Sequence, residues 1–166
     1  MPQRSLQVEV LGPVALRDDS GPVPCRRGLD AALVAWAALH AGRAVGVDDT
    51  AVALWPSAPG ATARARLTRQ LADLRGRLGA DRMPLERQGQ VLWSRIPPGA
   101  VDATTFAEEV RAGTDLLAAG DGPAAEALVR RALDRWRGDL AYAELGTTDA
   151  GVAEAVRLAD LRLDAE

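Results

Sequence analysis

The fold of this chain is constrained most by a segment in which leucines recur at helical spacing among five arginines. It spans residues 62–78 and reads TARARLTRQLADLRGRL. Its leucines stand at positions i, i+4, i+7 and i+11, which lie on one stripe of a helix; they are Leu67, Leu71, Leu74 and Leu78. At about 100° per residue, Thr62, Arg66 and Arg69 point away from that stripe. The pattern predicts a helix that is buried along one edge and carries guanidinium groups on its other faces.

The remaining polar residues of this segment flank the leucine stripe. Arg64 and Arg75 lie on one side of it, and Gln70 and Arg77 lie on the other. Arginine binds phosphate oxygens bidentately and matches the O6/N7 edge of guanine, so this surface suits the major groove of DNA. A solvated helix face has the same pattern, and the flanking elements must distinguish the two.

Short alternating segments before this helix predict a small sheet. Residues 6–10 and 14–16 alternate apolar and polar positions and predict two antiparallel strands. Residues 23–25 predict a third, short strand at an edge, because proline lacks the N–H that a central strand donates. Cys25 is interpreted as a small residue of that strand.

Two helices and a hairpin complete this part of the chain. Residues 29–40 and 47–55 predict helices, and residues 82–95 predict a β-hairpin with a polar tip at 88–90. Strands, three helices and a hairpin in this order are the plan of an α+β winged helix-turn-helix domain. In that plan the third helix reads the major groove and the hairpin, or wing, contacts the flanking backbone. The arginine-rich segment occupies the position of this reader helix.

A Pro-Pro-Gly breaker at residues 97–99 predicts a domain boundary, which divides the chain into domains at 1–98 and 99–166. Residues 102–119 predict an amphipathic helix, and a second helix after Pro123 carries Leu128, Leu133 and Trp136. A third helix follows Thr148, with apolar residues Val152, Val156, Leu158, Leu161 and Leu163. An all-α domain of tetratricopeptide-like helices begins in this way. Because such pairs need stacked neighbours, we expect a longer natural protein.

The charge of the chain divides at the same boundary. All 20 basic residues are arginine, and the net charge is −3. Residues 1–100 carry 13 arginines and 9 acidic residues, whereas residues 101–166 carry 7 and 14. Residues 1–100 could bind a polyanion, whereas residues 101–166 would repel it. This difference favours two modules with different roles.

Little in the sequence points to an enzyme, a cofactor or a metal site. The single His40 and single Cys25 lie in separate predicted elements and form no zinc set, and no phosphate-binding or nucleophile-elbow motif is present. Arg-x-x-Asp occurs three times, which is close to chance, and we expect ordinary surface ion pairs; the pairs are Arg27/Asp30, Arg131/Asp134 and Arg157/Asp160. Three tryptophans are predicted to be core residues, namely Trp36, Trp55 and Trp136. Trp93, in the wing, could pack beneath the hairpin or contact a sugar.

We expect a cytoplasmic protein. No apolar run approaches the length needed to span a bilayer, and the first five residues lack the apolar core of a signal peptide.

Four short stretches, taken in their order along the chain, resemble the Streptomyces antibiotic regulatory protein (SARP) family. These actinobacterial activators join an OmpR-type winged helix to a bacterial transcriptional activator domain of tetratricopeptide-like helices. The stretches are Val10-Leu11-Gly12-Pro13-Val14, Ala53-Leu54-Trp55-Pro56, Ala61-Thr62-Ala63-Arg64-Ala65 through Leu74-Arg75, and Trp136-Arg137-Gly138. The resemblance covers residues 6–166, with the activator domain cut short.

The resemblance implies a transcriptional regulator, in the main an activator, with double-stranded DNA and RNA polymerase as partners. Its reader helix would enter the major groove of direct repeats, with two copies bound head to tail. Residues implied to contact DNA are Thr62, Arg64, Arg66, Thr68, Arg69 and Arg75 in the reader, and Arg87, Gln88 and Arg95 in the wing. The loop implied to face RNA polymerase consists of Pro56, Ser57, Ala58, Pro59 and Gly60.

Several departures from the family pattern leave a second hypothesis open. Pro24-Cys25-Arg26-Arg27 replaces a Pro-Lys-x-Arg segment. Gln70 stands where a polar aromatic residue is common, Asp73 where a basic residue is common, and Gly89-Gln90 where the wing has Gly-Tyr. A carboxylate at Asp73 would repel phosphate. The alternative is a degenerate winged helix that no longer binds DNA and serves as a protein-interaction or regulatory module.

Overall fold

The chain opens with a three-stranded antiparallel sheet, as predicted. The computed structural model describes residues 5–166; residues 1–4, which entered the argument against a signal peptide, lie outside the described part. The first sheet has the order β1-β2-β3 and comprises β1 (Gln7–Glu9), β2 (Ala15–Asp18) and β3 (Gly21–Val23). Val8 and Leu16 are paired and buried, whereas Gln7 and Arg17 are exposed, so the sheet has one apolar face.

The third strand ends two residues earlier than predicted. Gly21–Val23 pairs with β2, and Pro24 and Cys25 lie beyond it. Pro24 has no N–H to donate, so the ladder does not continue through it. The prediction that Cys25 is a strand residue is therefore wrong. It is half-buried, and burial together with the carboxylates of Asp30 and Glu144 raises the pKa of its thiol to about 11.

A helix that is buried almost all round forms the centre of the core. In α1 (Leu29–Leu39) every residue from Asp30 to Ala38 is buried, which is typical of a central helix. The Trp36 indole N–H donates to the Thr50 hydroxyl at 3.1 Å. His40 follows the helix and packs on Trp36 with ring centroids 4.5 Å apart, and burial lowers the pKa of its imidazole.

Two more helices and a second sheet complete the winged helix. The elements are β4 (Ala44–Gly46), α2 (Val47–Leu54), α3 (Gly60–Leu78), β5 (Leu85–Gln88) and β6 (Val91–Ser94). The second sheet is antiparallel in the order β4-β6-β5, and β5 and β6 form the wing. α3, the reader helix, buries Leu67, Leu74 and Leu78, while Leu71 is half-buried. The predicted winged helix-turn-helix class is confirmed.

The rest of the chain is helical. It contains α4 (Asp102–Ala118), α5 (Gly122–Leu133) and α6 (Asp149–Ala165). Asp121 caps α5 by accepting from the Ala124 N–H at 3.1 Å, and Thr148 caps α6 by accepting from the Gly151 N–H at 3.0 Å. Phe106 of α4 is fully buried and meets the Trp136 ring edge-on, with centroids 5.5 Å apart. These helices match the predicted tetratricopeptide-like arrangement.

Two details of the helical part differ from the predictions. α5 ends at Leu133, so Trp136 lies three residues beyond the helix, where its ring packs against Phe106. Several apolar residues of the amphipathic faces are exposed because α4, α5 and α6 cover only part of one another; they are Leu117, Val152, Val156 and Leu163. Leu158 is the fully buried residue of α6.

The first sheet packs against the helical part as well as against α1. The N–H groups of Val10 and Leu11 donate to the Asp102 carboxylate at 2.7 and 3.1 Å. Tyr142 N–H donates to the Val10 carbonyl at 2.9 Å, and Val8 bridges to Val101. One hydrophobic core therefore runs through both parts of the chain. The division of the chain into domains at residues 98 and 99 stays a prediction.

The three ion pairs expected at i,i+3 spacing do not form as predicted. Asp30 pairs with Arg77 of α3, Arg131 pairs with Glu109 of α4, and Arg157 pairs with Glu154. Helix packing brings Arg77 to Asp30 and Glu109 to Arg131 from other elements, and sequence spacing does not report such contacts. Among the helices of residues 5–166, none combines the length and apolar character required to cross a membrane.

Candidate nucleic-acid interface

The side of the reader helix opposite its buried leucines carries an exposed polar stripe. Thr62, Arg66, Arg69 and Asp73 follow one another at spacings of four, three and four residues and are all exposed. The Arg69 side chain is 86% exposed and lies 4.0 Å from the Asp73 carboxylate. Within the described part of the chain, the Arg66 side chain makes no hydrogen bond or ion pair. This stripe can contact a partner without breaking any strong internal bond.

The flanking arginines of the reader helix differ in their surroundings. Arg64 Nε lies 3.3 Å from the Asp48 carboxylate of α2, and both side chains are about half exposed or more. Arg75 is exposed, and its side chain has no hydrogen-bond or ion-pair partner within residues 5–166. Phosphate would therefore compete with a carboxylate at Arg64 but not at Arg75.

Gln70 and Arg77 face inward to the first helix. Gln70 Nε2 donates to Asp30 Oδ1 at 2.6 Å, and Arg77 Nε donates to Asp30 Oδ2 at 2.8 Å. A second Arg77 nitrogen, Nη2, also donates to Oδ1. These hydrogen bonds raise the pKa of the Arg77 guanidinium. One of the five reader arginines thus holds the helix to the core.

The wing is joined to the reader helix through Arg87. Its Nη1 donates to the Thr68 hydroxyl, and its Nε donates to the Gly89 carbonyl, both at 3.1 Å. These two bonds place the wing turn beside the exposed side of the reader helix. Thr68 and Arg87, two predicted contact residues from different elements, are therefore neighbours on one surface.

The other wing residues lie away from that junction. Alternation along β5 places Gln88 on the opposite face from Arg87, with Glu86 and Trp93. Trp93 is 43% exposed, so it does not pack beneath the hairpin. Arg95 follows β6 and donates to the Ala80 carbonyl at 3.1 Å, next to the end of the reader helix.

The loop predicted to face RNA polymerase is short. Residues 55–59 connect α2 to α3, and Gly60 begins the reader helix instead of ending the loop. Pro56, Ser57 and Pro59 are exposed. A shallow concavity of about 460 Å³ adjoins the loop and reaches Thr62 and Arg66. The loop and the exposed stripe are therefore continuous.

Sequence reasoning missed Asp30. Its side chain is 5% exposed, and it accepts all three hydrogen bonds from Gln70 and Arg77. The available signal was a single acidic residue in an otherwise apolar helix. A buried carboxylate requires partners, so that position alone indicated a contact with another element.

Residues 101–166 match the family model of the bacterial transcriptional activator domain. The transcriptional regulatory protein EmbR of Mycobacterium tuberculosis is 31% identical over 140 residues, which cover 82% of this chain and 36% of EmbR. The transcriptional regulator RedD of Streptomyces coelicolor is 33% identical over 140 residues, which cover 80% of this chain and 39% of RedD. The chain thus spans somewhat more than a third of these relatives.

A solved structure extends the similarity across both parts. The structure of Mycobacterium tuberculosis EmbR in complex with a low-affinity phosphopeptide superposes with a TM-score of 0.82 at 29% identity. The match covers 98% of this chain and 44% of that one. With the activator-domain match and the two relatives, it shows that the chain has the SARP arrangement, in which a winged helix precedes a bacterial transcriptional activator domain.

Proposed function

We propose that this chain is the DNA-binding part of a transcriptional activator that reads direct repeats through its reader helix. The observation that carries the proposal is the exposed stripe of Thr62, Arg66 and Arg69, on a helix whose opposite side is anchored in the core. The names of EmbR and RedD, both transcriptional regulators, support the same conclusion.

Each part of the surface has a distinct role in this mechanism. Arg75, Arg87 and Arg95 anchor phosphates, while Thr62, Arg66 and Arg69 reach base edges in the major groove. Arg64 leaves Asp48 for a phosphate, and Thr68 and Gln88 contribute neutral hydrogen bonds. Because the protein reads direct repeats, two copies bind head to tail instead of through an isologous interface. Such a regulator acts in the cytoplasm.

Activation follows from the position of the loop. Residues 56–60 adjoin the DNA-facing stripe, so a polymerase bound beside the repeat can contact them while the reader helix stays in the groove. The acidic helical part is repelled by DNA and remains outside the groove, where it is accessible to a protein.

Salt-dependent binding tests the proposal. Fluorescence anisotropy of the chain on mixed-sequence duplex DNA is measured from about 50 to 200 mM salt, where phosphate contacts weaken steeply. The test variant is Arg66→Ala/Arg69→Ala. The matched control is Arg111→Ala/Arg130→Ala, which removes two exposed arginines from α4 and α5.

The wild-type chain and the control are expected to bind with the same steep salt dependence. On mixed-sequence DNA no base contact is selected, so Arg66 and Arg69 bind phosphates there instead of base edges. The test variant should therefore bind more weakly, with a log–log slope reduced by roughly 2, because each lost phosphate contact removes roughly 1. Equal weakening by both variants would mean that general charge, not the reader helix, causes binding.

A second candidate function is a protein-interaction module that does not bind DNA. It is favoured by the carboxylate of Asp73, which lies 49% exposed in line with Arg66 and Arg69. The absence of binding by the wild-type chain at the lowest salt would select this candidate. Restored binding in Asp73→Ala would show that this carboxylate is the cause.

A further inference from the structure

The reader helix is held at two points by one buried carboxylate. Gln70 and Arg77 are seven residues apart, which is about 10 Å along a helix. Both side chains converge on Asp30, which lies in the first turn of α1 and is 5% exposed at its side chain. The N-terminal turn of a helix also favours a negative charge. Asp30 therefore binds the reader helix from a rigid and buried position.

This contact opposes rotation of the reader helix about its own axis. The leucines on its buried side bind without a preferred direction, because apolar contacts are non-directional. Hydrogen bonds to Asp30 are directional, and two of them from separate turns fix the angle. A rotation of about 20° moves a side-chain tip at a radius of about 6 Å by about 2 Å, which is enough to break a bidentate base contact.

We propose that Asp30 is a positioning residue, which sets the angle at which the reader helix presents Arg66 and Arg69 to base edges. The inference rests on the proposed function, since it assigns base selectivity to a side chain that touches no DNA. The assignment also gives Gln70 a role: it faces α1 and serves as the second donor to Asp30.

The test compares Asp30→Asn with a matched variant elsewhere in the chain. Glu109→Gln is the control, because Glu109 is also a largely buried carboxylate, 12% exposed, that holds two arginines on a different element. Arg77→Gln and the double variant Asp30→Asn/Arg77→Gln complete the set. The double variant should lose less than the sum of the two single variants, because both single variants remove the contact between Asp30 and Arg77.

Two readouts are taken on the 166-residue chain. The first is the ¹⁵N NMR signal of the Arg77 Nε–H group, which is identified by its loss in Arg77→Gln. The hydrogen bond to Asp30 slows the exchange of this proton with water. The second is anisotropy with a duplex selected by the wild-type chain from a random pool and with a scrambled duplex.

Asp30→Asn is expected to abolish the protected Arg77 signal and to weaken binding to the selected duplex about tenfold, with less than about a twofold change on the scrambled one. Glu109→Gln should leave the Arg77 signal and the ratio of the two affinities unchanged. An equal loss on both duplexes, or a persistent Arg77 signal, would overturn the inference.

If the wild-type chain binds neither duplex, the proposed function fails while the NMR readout still decides the contact. Loss of the Arg77 signal in Asp30→Asn but not in Glu109→Gln would then support Asp30 as the residue that holds the helix. An unchanged signal would overturn it.

Discussion

Replacing Gly12 with alanine should separate the first sheet from the helical part of the chain. Gly12 has a φ of +130°, and a Cβ built on it would lie 2.9 Å from the Arg137 carbonyl carbon and 2.9 Å from the Gly138 nitrogen. The two backbones are in contact here. Gly12 and Arg137 belong to two of the stretches that resemble the SARP family, so their short motifs meet at one point.

The magnitude follows from what the added methyl group displaces. Alanine at this φ costs about 1–3 kcal/mol in backbone strain. Moving the two segments apart also breaks the bonds of the Arg137 N–H to the Leu11 carbonyl, at 2.7 Å, and of Arg137 Nη1 to the Pro13 carbonyl, at 2.8 Å. Each of these bonds contributes about 1 kcal/mol. The expected loss in the free energy of unfolding is about 3–5 kcal/mol.

Urea unfolding followed by circular dichroism measures this loss. Gly120→Ala is the matched control, because Gly120 also has a positive φ, of +85°, but nothing lies within 4 Å of its added Cβ. The control should lose only the strain, about 1–2 kcal/mol. Equal losses in the two variants would refute the argument from close approach.

Three further outcomes follow from the packing. The Arg135 guanidinium holds the pKa of Glu109 below its usual 4.5, so ionised Glu109 stabilises the fold above pH 4.5, and this contribution is lost as the pH falls through the lower pKa of the folded state. Glu109→Gln should therefore destabilise the chain more at pH 7 than at pH 3 in urea titrations, and equal effects would contradict this. Because burial raises the pKa of Cys25 to about 11, alkylation by iodoacetamide at pH 8 should be about a hundredfold slower in the native chain than in urea, and similar rates would refute it. Trp36→Phe removes the bond to Thr50 and should cost about 1–2 kcal/mol in urea unfolding, whereas an unchanged midpoint would show that the bond contributes nothing.

The order of elements could be predicted because each depends on local pattern. The leucine spacing of the reader helix, the alternation in the first sheet and the apolar run of α1 each fix one element without reference to the others. The errors in the predicted elements concerned where an element ends and which of its residues are covered by another element. Pro24 ended β3 early, and Val152, Val156 and Leu163 of α6 lie exposed because the other helices cover only part of α6.

The candidate site was predictable only in outline. Residue spacing placed Thr62, Arg66 and Arg69 on the outer face of the reader helix, where the structure also has them. It could not show that Arg87 of the wing contacts Thr68, because these residues are brought together by the packing of a hairpin on a helix.

By itself the sequence determined the class of fold and the outward stripe of the reader helix, since periodicity along one element decides which of its faces is buried. Only the tertiary structure decided which arginines remain available to a partner. Asp30 lies 40 residues from Gln70 and 47 from Arg77, and Asp48 lies on a different helix from Arg64. An ion pair depends on distance in space, and that distance is set by how the helices pack, which no spacing within one helix encodes.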